Sequence, residues 1–108
     1  MTKRKYELLL VDDEPANLQK LQRTFLDLYT VHLARSGEEA LEILGKARID
    51  AIITDQKMPG MTGIEFLEMS QKDYPDLVRI VLTGFTEVDD LIAAINTGKV
   101  HRYITKPW

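Results

Sequence analysis

Five side chains in this 108-residue chain could do chemistry together: Asp12, Asp13, Asp55, Thr83 and Lys106. Each stands at or just past the end of a short apolar run, namely Tyr6–Val11, Asp50–Thr54, Leu77–Leu82 and His101–Thr105. Runs of that length bounded by polar residues read as buried strands. If the strands are parallel, their ends share one edge of the sheet and the five side chains converge there. Three carboxylates gathered at about 4 Å would repel one another by roughly 4 kcal/mol per pair at an effective dielectric near 20. A divalent cation relieves that repulsion, and an all-oxygen ligand set suits Mg²⁺, which keeps several waters and accepts a phosphate oxygen. Without metal, one carboxyl must hold a raised pKa or Lys106 must neutralise part of the charge. A hydroxyl at Thr83 and an ammonium at Lys106 are suitable donors to a phosphoryl group. The chemistry this set fits is nucleophilic attack by a carboxylate on phosphorus, giving an aspartyl phosphate. Asp55, ending the central strand, is the expected nucleophile, Asp13 the direct metal ligand and Asp12 its support.

The elements that position these residues follow from local pattern. Pro15 fits the first turn of a helix, and Leu18, Leu21, Phe25 and Leu28 recur at helical spacing. Thr30–Ala34 alternates as a half-buried edge strand. Ser36-Gly37-Glu38-Glu39 and Thr62-Gly63-Ile64-Glu65 both have the form of a capping box. The first opens a helix carrying Ala40, Leu41, Leu44 and Ala47, weakened near its end by Gly45; the second opens a helix to about Lys72 with Phe66 and Leu67 facing the core. Tyr74-Pro75-Asp76 is a turn. Thr86 caps a helix bearing Val88, Leu91, Ile92 and Ile95, which Gly98 stops. Strand and helix alternate four times before a last strand, which predicts an α/β fold: a doubly wound parallel sheet of five strands with helices on both faces.

Composition sets limits on function. The chain is long enough for one domain and too short for two; 44% apolar and 29% charged residues are ordinary for a globular protein. It has no cysteine, which excludes disulfides and thiolate metal sites and suits a reducing cytoplasm. No run is long enough to span a bilayer, so no membrane role is expected. A net charge of −3 argues against nucleic-acid binding by this domain, and Lys3-Arg4-Lys5 reads as a solvated terminus. His32 and His101 read as surface or strand-end residues, and Met58, Met61 and Met69 as gap-filling apolar side chains.

Val11-Asp12-Asp13-Glu14-Pro15, Asp55-Gln56-Lys57-Met58-Pro59-Gly60-Met61-Thr62-Gly63, Leu82-Thr83-Gly84 and Tyr103-Ile104-Thr105-Lys106-Pro107 together resemble the receiver domain of two-component response regulators, over essentially the whole chain. The resemblance implies the flavodoxin-like strand order 2-1-3-4-5. It implies that Asp55 accepts a phosphoryl group from a phosphohistidine of a sensor histidine kinase or phosphotransfer protein. It also implies that Asp13, Asp55 and the backbone carbonyl of Lys57 hold Mg²⁺. Thr83 and Tyr103 would be the switch residues, read out at the face of the fourth helix and fifth strand, and the Lys106–Pro107 bond would be cis. Lys57 and Phe85 fall where the family varies, and a bulky Phe85 would slow hydrolysis of the acyl phosphate. Receivers continue into a fifth helix, whereas this chain stops at Trp108. The expectation is therefore one domain over 1–108 from the N-terminal part of a longer protein, with an output domain in cis or a partner protein. The apolar face left by the missing helix would favour a homodimer.

Three rival readings are weighed against the acidic set. An aspartyl-phosphate hydrolase would want a second acid two residues after the nucleophile, where this chain has Lys57. A pseudo-receiver that only binds protein would not need the acids at all. A flavin or nucleotide module would want a Gly- or hydroxyl-rich loop after the first strand, and Asp12-Asp13-Glu14-Pro15 is the reverse.

Overall fold

Alternation along the strands divides the apolar side chains between two layers. On β1 (Glu7–Val11), Leu9 and Val11 face one side of the sheet while Leu8 and Leu10 face the other. The structure is a computed structural model that describes residues 5–83 and 100–105 together with 92, 93 and 96; of Tyr103 and Thr105 it describes the backbone. Its elements are β1, α1 (Pro15–Phe25), β2 (Thr30–Ala34), α2 (Gly37–Lys46), β3 (Ala51–Asp55), α3 (Gly63–Asp73), β4 (Val78–Thr83) and β5 (Arg102–Thr105). The five strands form one sheet in the order β2-β1-β3-β4-β5, and every pairing is parallel. Ile92, Ala93 and Asn96, between β4 and β5, are helical. The doubly wound architecture and the flavodoxin-like order are as expected.

One layer packs Ala40 and Leu44 of α2 and Phe66 and Leu67 of α3 against Leu9, Val11, Ile52 and Val81. The other packs Leu18 and Leu21 of α1 against Leu8, Leu10, Ile53 and Leu82. Each fully buried Leu or Phe contributes about 1.5–3 kcal/mol of transfer free energy, and between the layers the central strands are covered on both faces. β3 is accordingly almost continuously apolar, as a strand buried on both sides must be.

The helices begin as their sequences dictate. Ser36 accepts a hydrogen bond from Glu39 N at 3.1 Å. At α3 the capping box is complete: Thr62 Oγ1 accepts from Glu65 N at 3.2 Å, and Glu65 Oε1 accepts from Thr62 N at 3.0 Å. The bond from Thr62 N, with a further one from the Thr62 hydroxyl, holds the Glu65 carboxyl below its usual range. α1 starts on Pro15 and has no side-chain cap at Glu14; instead Asp12 Oδ1 accepts from Glu14 N at 2.9 Å.

Several expectations need correction. Leu28 does not continue the apolar face of α1: the helix stops at Phe25 and Leu28 is 70% exposed in the following turn. The chain must reverse there to pair Thr30 N with Tyr6 O, and Tyr29 takes the inner position, its ring edge-on to Phe25 with centroids 6.0 Å apart. Ala47 lies just past the end of α2, although it still packs on the core. Met58 is buried and Met61 packs against the same cluster, but Met69 is exposed because it lies on the outer face of α3.

Candidate functional site

β1 and β3 are neighbours at the centre of the sheet, and their register pairs Val11 with Thr54. The next residue on each strand is therefore an acid at the same level, Asp12 beside Asp55. Asp12 is fixed by extension of the ladder, its N–H donating to Ala34 O at 3.1 Å. Asp55 closes β3 opposite Leu82. Asp13 follows Asp12 as the chain turns toward α1. Carboxylate oxygens of Asp12, Asp13 and Asp55 all lie within 4.8 Å of one another, with Asp12 and Asp55 buried and Asp13 half-buried.

At that spacing each pair of charges repels by about 3.5 kcal/mol at an effective dielectric of 20. Three carboxylates of separate chain segments, two of them out of solvent, are a donor set for a hard divalent cation. Their oxygen chemistry fits Mg²⁺ and gives no nitrogen or sulfur ligand to favour a softer ion.

The other expected residues are placed less completely. Thr83 is buried at the end of β4, the strand beside β3. Lys57 is exposed in the loop two residues past Asp55. Tyr103 lies on β5 opposite Val81. Lys106, Pro107 and Trp108 lie outside the described residues, as do Gly84, Phe85, Thr86 and Gly98.

Two neighbours of Asp55 have roles that motif reading did not assign. Gln56, only 8% exposed, donates N–H to Leu82 O at 3.0 Å, while its carbonyl accepts from Gly63 N at 3.0 Å and its Oε1 from Ile64 N at 2.8 Å. Gly63 is in close approach. A Cβ there would overlap Asp55 O and stand 3.1 Å from both Asp55 C and Gln56 Cα. The loop between β3 and α3 also contains Gly60 at φ +81°, a left-handed conformation that glycine adopts without strain.

The opposite edge of the sheet carries polar groups already engaged in structure. Asp50 Oδ2 accepts from Glu7 N at 2.8 Å, tying β3 to β1 at their start. His32 Nε2 lies 3.0 Å from Glu7 Oε1. Arg79 is 2% exposed, and its Nη1 donates to Leu77 O at 3.1 Å; burial lowers its pKa. His101 Nδ1 accepts from Arg79 N at 2.9 Å, and burial together with the Arg79 charge lowers its pKa. A pocket of about 380 Å³ opens at this edge between Arg48–Asp50 and Asp73–Leu77, away from the acidic cluster.

Comparison with known proteins agrees with this geometry. The family model of the response regulator receiver domain matches residues 8–108. The chain belongs to that family. This receiver domain is 38% identical over 108 residues to the hydrogenase transcriptional regulatory protein HoxA of Cupriavidus necator, a match covering 100% of this chain and 22% of that protein. Among solved structures, the signal receiver domain of an HD domain-containing protein from Pseudomonas fluorescens Pf-5 is 38% identical with a TM-score of 0.90, covering 97% of this chain and 85% of that one. The chemotaxis protein CheY4 of Vibrio cholerae is 31% identical with a TM-score of 0.89, covering 97% and 89%. The receiver domain thus spans about a fifth of the length of the HoxA proteins it matches and less than half of the MprA response regulators. Among the described residues, no helix is long and apolar enough to cross a membrane.

Proposed function

We propose that this receiver domain is a Mg²⁺-dependent phosphoacceptor whose acceptor is Asp55. The observation that carries the reading is the meeting of Asp12, Asp13 and Asp55 within 4.8 Å at the ends of the two central strands. A carboxylate oxygen of Asp55 attacks phosphorus of a phosphohistidine on a sensor histidine kinase or phosphotransfer protein. The new O–P bond forms as the P–N bond breaks, and the electron pair leaves with the imidazole nitrogen. Asp12, Asp13, Asp55 and the Lys57 carbonyl would hold Mg²⁺, which when bound offsets the charge between nucleophile and incoming phosphoryl group. Asp12 also fixes the turn into α1 through Glu14 N, so that the metal side of the site is held by backbone. Lys106 is assigned to pair with the phosphoryl oxygens, and Thr83 to follow the new charge with its hydroxyl. Tyr103 carries the change to the face around β5, where an output domain in cis or a partner protein reads it.

The test is mass spectrometry after incubation with acetyl phosphate and Mg²⁺. One phosphoryl mass is expected on the parent and none on Asp55→Ala. Equal labelling of both, or none on the parent, refutes the assignment. Continuous phosphate release from a simple ester would favour a hydrolase instead.

A further inference from the structure

We propose that Gln56 is a positioning residue for the acceptor site, fastening the first turn of α3 to the end of β3 and thereby setting where Asp55 and the Lys57 carbonyl stand. The inference rests on the reading of Asp55 and Lys57 as Mg²⁺-site residues and extends it to a side chain that touches neither metal nor phosphoryl group. The first four N–H groups of a helix have no partner within the helix. In α3 they belong to the N-cap Thr62 and to Gly63, Ile64 and Glu65. The capping box takes two of them, Glu65 N through Thr62 Oγ1 and Thr62 N through Glu65 Oε1. Gln56 takes the other two, Gly63 N through its carbonyl and Ile64 N through Oε1 at 2.8 Å.

Gln56 is thus a remote half of the α3 cap, placed immediately between Asp55 and Lys57 in the chain. Its own N–H is committed to Leu82 O, so both sides of the residue are anchored. The contact works in the other direction as well. Gly63 approaches the Asp55 carbonyl so closely that no Cβ would fit between them, so any slip of α3 presses on the acceptor's backbone. Without the Oε1 acceptor, the part-buried Ile64 N–H loses its partner and the first turn shifts to find another.

The experiment compares Gln56→Met, which keeps the length of the side chain and removes the acceptor, with Gln56→Glu, which keeps an oxygen in the same place. Mg²⁺ affinity is measured by calorimetry on folded protein, and exchange of the Ile64 amide is followed by NMR in metal-free buffer. The expected result is about a tenfold loss of Mg²⁺ affinity in Gln56→Met, the usual size for removing a support of a metal ligand. Ile64 exchange should be faster in that variant, while Gln56→Glu keeps both parental protection and Mg²⁺ binding. A folded Gln56→Met that binds Mg²⁺ like the parent overturns the proposal, and so does a Gln56→Glu that loses as much as Gln56→Met. If Gln56→Met does not fold, Gln56→Glu decides alone: retained affinity and Ile64 protection support the proposal, and loss of either overturns it. A parent that binds no Mg²⁺ refutes the acceptor-site reading itself, and the proposal falls with it.

Discussion

One substitution, Gly→Ala, should have opposite signs at two places in this domain. At Gly63 the added methyl meets Asp55 O, Asp55 C and Gln56 Cα, all backbone atoms that no side-chain rotation can clear. Overpacking of that kind costs about 1–3 kcal/mol, and against it stands a helix-propensity gain of at most about 1 kcal/mol. The net expectation for Gly63→Ala is a loss of about 1–2 kcal/mol, which lowers Tm by roughly 5–15 °C for a domain of this size. The displaced group is the carbonyl of Asp55, the proposed acceptor, so phosphorylation by acetyl phosphate should slow as well. At Gly45, in the last turn of α2, the same methyl meets nothing within 4 Å. There only propensity and unfolded-state entropy act, and Gly45→Ala should stabilise by about 0.5–1 kcal/mol. Thermal and urea unfolding of the two variants beside the parent measures both. A Gly63→Ala protein as stable as the parent, or a Gly45→Ala protein less stable than Gly63→Ala, refutes the reasoning.

Two further outcomes follow from the site and from the far edge of the sheet. Mg²⁺ at ten times its Kd should raise unfolding free energy by about 1.4 kcal/mol, whereas Asp13→Asn should raise Tm in EDTA by relieving repulsion and abolish the Mg²⁺ increment; an increment that survives in the variant excludes Asp13 as a ligand. His101 has a folded-state pKa below its ordinary 6.5, so the unfolded chain takes up the proton first. Its contribution to stability is complete above pH 6.5 and is lost as pH falls through the folded-state value, because a protonated Nδ1 cannot accept from Arg79 N. The urea midpoint should therefore drop more steeply below pH 6.5 in the parent than in His101→Asn, and parallel pH profiles would remove His101 from the account.

The gathering of Asp12, Asp13 and Asp55 was legible because it lies in residue type and order: acids after two apolar runs whose ends share one edge of the sheet. The sheet followed from alternation of strand and helix, and both capping motifs marked true helix starts. What stayed hidden depends on distance between segments that sequence does not measure. Gln56 reads as an ordinary loop residue until Ile64 N is found at its Oε1. Gly63 reads only as an inner position of a capping box, yet its importance is the backbone it faces. Arg79 stands inside an apolar run with no role read for it; it is buried, its guanidinium capping carbonyls of the turn before β4. Leu28 failed for a related reason, since periodicity cannot tell where a helix must end to let the next strand pair.

The division of the apolar side chains into two layers has a consequence for how such a domain can change over time. Leu18 and Leu21 share no packing cluster with Leu44 or Phe66, because the sheet stands between them. Compensation for a lost methyl on one side must come from that side. The two halves can therefore diverge at their own pace, each refitted from within, while the acids at their common rim hold both to a single geometry.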